Sequence, residues 1–114
     1  MSTNHSKAIL WIGFANVRPK PGTDALHECV GAYVNVLGRA MSPTEFQVLA
    51  KKALEDVDLL LVSLEDIENF SVRMEKQRVS SKLKEIAEQV AEVGDIRFDT
   101  FEAYAHEDEP PAHS

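Results

Sequence analysis

Apolar and polar positions along this chain alternate in two rhythms, one of period two and one of period 3.6. Residues 8–17, AILWIGFANV, set Leu10, Ile12 and Phe14 on one side and Ile9, Trp11 and Val17 on the other. Apolar residues on both sides predict an interior strand, or one with a face covered by another subunit. The following RPKPGTD contains two prolines and Pro21-Gly22, which predicts a turn or loop. Residues 29–38, CVGAYVNVLG, alternate cleanly: Val30, Ala32, Val34 and Val36 point one way, Tyr33, Asn35 and Leu37 the other. This is a second strand, antiparallel to the first.

At residue 42 the rhythm changes. Ser42 is placed to cap a helix, Pro43 suits its first position, and Glu45 closes a capping box three residues after the cap. Phe46, Leu49, Ala50, Ala53 and Leu54 then recur at helical spacing as one buried stripe. A third strand, DLLLVSL, follows within a few residues, and strand-helix-strand with short connections predicts that the second and third strands run parallel. That strand ends in the carboxylates Glu65, Asp66 and Glu68. The mostly charged SVRMEKQRVSS lacks periodicity and reads as a loop with room for a helical turn. A second helix begins at Ser80 or Ser81, presents Leu83, Ile86, Ala87, Val90 and Ala91 inward, and stops at Gly94. DIRFDTFEAYAH is a fourth strand whose apolar register slips at Thr100–Phe101, which suits a bulge.

The order β-β-α-β-α-β predicts an α+β fold: a two-layer sandwich with a four-stranded mixed sheet and both helices on one face, ferredoxin-like in the broad sense. One domain spans residues 7–106, with residues 1–6 and the acidic tail 107–114 expected to be disordered. Two helices on one side leave the other sheet face short of cover. Trp11, Tyr33, Leu37 and Phe101 are the candidates to line it, as a pocket or as an interface supplied by a homodimer or a partner.

Composition changes the picture mainly through charge. At 114 residues and 44% hydrophobic, the chain is an ordinary single domain. Its net charge is -7, and it is lopsided: residues 1–57 hold six basic and five acidic residues, residues 58–114 six and fourteen. Such a field repels phosphate backbones, so nucleic acid is not an expected ligand, and it favours a basic protein partner. No stretch approaches the length of a membrane span, the first strand lacks a cleavage signal after it, and Cys29 stands alone, so the expected setting is cytoplasmic.

Candidate chemistry is sparse. The loops GxGxxG and GxxxxGK[ST], the helical HExxH and the elbow GxSxG are all absent. His27-Glu28-Cys29 offers ligand types, with His106 as a distant third, but without a recognised metal spacing. The basic stretch Arg73, Lys76, Arg78, Lys82 and Lys84 could grip an acidic ligand, though it lacks interleaved aromatics. No catalytic residue, metal or cofactor is therefore assigned. Glu65, Asp66 and Glu68 are assigned as a partner-binding surface, in a small acidic module of the immunity or inhibitor kind. The alternative is a homo-oligomer holding a small molecule among Trp11, Tyr33 and Phe101, with His27 or Asn35 for polarity; a small enzyme ranks third.

Overall fold

The computed structural model describes residues 8–23, 25–26 and 29–105. The elements are β1 (Ile9–Pro19), β2 (Gly31–Ala40), α1 (Pro43–Glu55), β3 (Leu59–Asn69), α2 (Phe70–Lys76), α3 (Ser81–Val93), β4 (Arg97–Phe98) and β5 (Glu102–Tyr104). They form an α+β fold with an antiparallel sheet and three helices. The readings of residues 1–6, of the tail 107–114 and of His27, Glu28 and His106 lie outside the described residues.

Both long helices start where the side chains dictate. Ser42 Oγ accepts from the Glu45 amide, and Glu45 Oε1 in return accepts from the Met41 amide at 2.6 Å, so α1 opens on a reciprocal cap. Ser80 caps α3 by accepting from the Leu83 amide, and Gly94 ends it with φ 82°, a left-handed turn that costs glycine little.

The sheet order is β3-β1-β2-β4, with β5 also pairing to β2, and every pairing is antiparallel. This corrects the expected mixed sheet. β2 and β3 do run in the same direction, but β1 lies between them, so the crossover through α1 spans a strand. The expected bulge in the last strand is real. Between the β4 and β5 pairings to β2 the register advances by one residue, which divides that strand in two.

The helices occupy opposite faces, which corrects the second expectation. On the first face, Ala15 and Val17 of β1 and Ala32, Val34, Val36 and Ala40 of β2 pack with Phe46, Ala50 and Leu54 of α1. On the second, Ile12 and Leu37 pack with Phe70 of α2 and Leu83, Ile86, Ala87 and Val90 of α3. The ferredoxin-like arrangement, with both long helices on one side, is therefore not the one seen. Two stripe positions also differ from expectation: Leu49 is 36% exposed, and Ala91 of α3 is exposed. At about 100° of turn per residue, Leu49 falls on the flank of the stripe defined by Phe46, Ala50 and Leu54.

Candidate functional site

The acidic run proves to lie within a strand. β3 continues to Asn69, and its register against β1 shifts twice, between Asn16 and Val17 and between Ile12 and Phe14. Each shift inserts one residue, first around Val62, then around Asp66 and Ile67 opposite Gly13. The bulges reset the alternation, so Leu59, Leu61, Leu64 and Ile67 all reach the first-face core at spacings of two, three and three. Asp66 takes φ 55°, the left-handed conformation that a short polar side chain tolerates best after glycine. The corner is therefore the product of a bulge and not of a strand end, and its neighbouring strand is antiparallel.

The three carboxylates do not act alike. Glu65 and Asp66 are exposed. Glu68 is folded back: its Oε2 accepts from Arg73 Nε, and its Oε1 accepts from Lys76 Nζ at 2.7 Å. Its side chain is 18% exposed, Arg73 12% and Lys76 61%, so the Arg73 arm is the shielded one. Arg73 also donates to the Asp66 carbonyl at 3.1 Å, which ties α2 to the bulge. The hydrogen bonds from Lys76 and from Arg73 hold the Glu68 carboxyl below the usual carboxylate range.

A depressed acid stabilises the fold while ionised. That contribution is complete above the ordinary carboxylate pKa and is lost as pH falls through the lowered one. Glu68→Gln should therefore lower stability by a constant amount at neutral pH. The gap to wild type should narrow only below the ordinary carboxylate range, as measured by urea titration at stepped pH. A gap that persists undiminished at the lowest pH where the protein folds would exclude this ion cluster as its cause.

The four residues expected to share a pocket or interface are split between faces. Trp11 lies on the first face, where its Nε1 donates to the Ala40 carbonyl at 3.0 Å, and Phe101 packs there against Phe98. Leu37 is fully buried beneath α3 on the second face. Tyr33 is on that second face too, stacked on Phe14 at 5.5 Å and tilted against Tyr104 at 5.0 Å. Among the described residues, helices pack on both faces of the sheet. Cys29 is half-buried and free, and among the described residues no three metal-ligating side chains cluster.

What sequence reasoning missed is a cleft of about 610 Å³ on the second face, beside the aromatic row. Its floor includes Phe14 and Asn35, one wall is the β3 bulge with Asp66 and Glu68, and the other is the α2–α3 connection with Arg73, Lys76 and Arg78. The available signal was Asn69. It caps α2 by accepting from the Ser71 amide, and so marks a helix that carries the basic stretch back across the sheet. Compared with known proteins, the chain matches no family model, no curated protein and no solved structure. Among the described residues no helix is long and apolar enough to cross a membrane.

Proposed function

We propose that this protein is a non-enzymatic binding module of the inhibitor or immunity kind, which docks a basic protein along the outer edge of β3. One observation carries the reading. Among the described residues β3 has no strand on its outer side, and there Leu60 (39% exposed) and Val62 (51%) stand beside the exposed carboxylates Glu65 and Asp66. An open edge is a template for pairing, and proteins guard such edges with bulges and charge. Two bulges and paired acids disfavour docking of a second copy, which would bring acid toward acid. The same groups attract a basic partner, speed its encounter and leave the apolar pair to hold it. Glu68 drops out of this surface because Arg73 and Lys76 already engage it.

The test uses the double variant Glu65→Gln, Asp66→Asn. Exposed charges contribute little to stability, and asparagine tolerates the left-handed conformation, so the fold should be unaffected. Native lysate of the source organism should yield a basic protein with wild type at low salt and much less of it with the variant. Measured directly, the on-rate should fall by roughly tenfold at low salt, with the difference shrinking as salt is raised. Capture that is identical for both proteins, or no capture by wild type at any salt, removes the reading.

A further inference from the structure

The cleft on the second face holds charges of both signs, and they are unevenly satisfied. Arg73 and Lys76 are taken up by Glu68. That leaves Arg78, exposed on the helix-side wall and without an ion pair among the described residues. Asp66 and Glu102 also line the cleft, with no cation paired to either among the described residues. Glu102 is the sharper case. It sits on β5, facing Tyr33 across the pairing with β2, and its Oε1 is buried with no hydrogen-bond partner among the described residues. A buried acceptor left unsatisfied is costly, so turning this carboxylate to meet a donor in the cleft gains more than the same contact would on the surface.

The unmet needs are thus a donor on the sheet side and an acceptor for a guanidinium on the helix side. A plain anion would meet Asp66 and Glu102, and a plain cation would meet Arg78 and Lys76. A molecule with a charge of each sign avoids both conflicts. Its ammonium would answer Glu102, and its carboxylate would take the fork of Arg78. Phe14, Val79 and Leu83 line the same cleft and offer an apolar strip for a side chain. The volume falls within the ~300–1,000 Å³ typical of small-ligand sites. We infer that this cleft binds a small zwitterion of the α-amino-acid class, held by Glu102 and Arg78 and packed on Phe14. Both polar anchors, Glu102 and Arg78, stand apart from the outer edge of β3, and Asp66 is the one residue that the cleft shares with the proposed docking surface.

The experiment is calorimetric titration of the full chain with each of the common L-amino acids up to millimolar concentration. The best ligand is then repeated as its N-acetyl derivative, as its carboxamide and as the amino-terminal residue of a dipeptide. Saturable binding should appear for a subset with apolar side chains and be lost when either charge is blocked. Binding of the dipeptide as well would identify a peptide terminus as an equally good source of the same chemistry. Arg78→Ala and Glu102→Gln should each weaken binding by roughly tenfold or more, as expected for a lost charge-assisted hydrogen bond. Arg78 is exposed and Glu102→Gln keeps the shape of a half-buried side chain, so thermal melts should show both variants folded. Absence of saturable heat from every amino acid, equal binding of the blocked forms, or unchanged affinity in both variants would overturn the assignment.

Discussion

Phe46→Ala will lower the unfolding free energy by about 3–5 kcal/mol, a large part of the ~5–15 kcal/mol of a domain this size. Leu49→Ala, one turn further along α1, will cost less than about 1 kcal/mol. Phe46 is fully buried, and its ring lies in a slot made by two glycines on neighbouring strands. A Cβ on Gly13 would come within 3.2 Å of that ring, and one on Gly38 within 3.4 Å. The slot is thus bounded by sheet backbone, which cannot collapse to fill the space the ring leaves. That places the cost at the upper end for an aromatic truncation. Leu49 is 36% exposed and leaves no such cavity. Urea titrations of both variants, with an unchanged slope as evidence that the denatured state is unaltered, decide the matter. Equal losses would mean that α1 is rotated on the sheet.

That contrast shows where the sequence was legible. Ser42, Pro43 and Glu45 placed the start of α1, and Ser80 and Gly94 bounded α3, because a cap is a local interaction between residues three or four apart. Alternation found β1 and β2 for the same reason. The side of the sheet each helix chooses is not local. A stripe on α1 and a stripe on α3 each announce that one face is buried. Since β1 carries apolar residues on both sides, either helix could have gone to either side. Strand order failed likewise, because the short connections around α1 fit a crossover with or without β1 between its strands.

The site was less legible than the fold. Leu61, Leu64 and Ile67 break the period of two, so the strand looked finished at Leu64 when two bulges had only shifted its phase. The seven residues of α2 are too few for periodicity to show, and the Asn69 cap, the one local signal for it, went unread. Glu68 meets Arg73 and Lys76 at separations of five and eight, spacings that suit neither a helix nor a strand. They become neighbours because the chain turns from β3 into α2 at Asn69. Glu102 enters the same cleft from the far end of the chain, and only its register on β2, reset by the bulge after Phe98, brings it there.

Gly31→Ala will destabilise the protein by about 1–3 kcal/mol through overpacking, although its φ is one any residue can adopt. The reason is space. Tyr104 of β5 lies directly across from Gly31 and is 4% exposed. A Cβ at residue 31 would stand 2.5 Å from the Tyr104 Cζ and 2.8 Å from the Val17 carbonyl oxygen. Tyr104 is the anchor of a strand only three residues long, through its ring on Tyr33 and its hydroxyl, which donates to Asn16 Oδ1 at 2.7 Å. Pushing the ring aside should loosen β5 first, so amide exchange at Val30, which donates to the Tyr104 carbonyl, should quicken before the core opens. Tyr104→Ala alone should cost about 3–5 kcal/mol, as for other buried aromatics. In that background the added methyl at residue 31 is relieved of the ring and meets only the Val17 carbonyl, so the double variant should be more stable than the sum of the two losses by about 1 kcal/mol or more. If the two losses instead add to within ~0.5 kcal/mol, Tyr104 is not the origin of the strain. The cost would then lie in the Val17 carbonyl, where only a shift of β1 against β2 could relieve it.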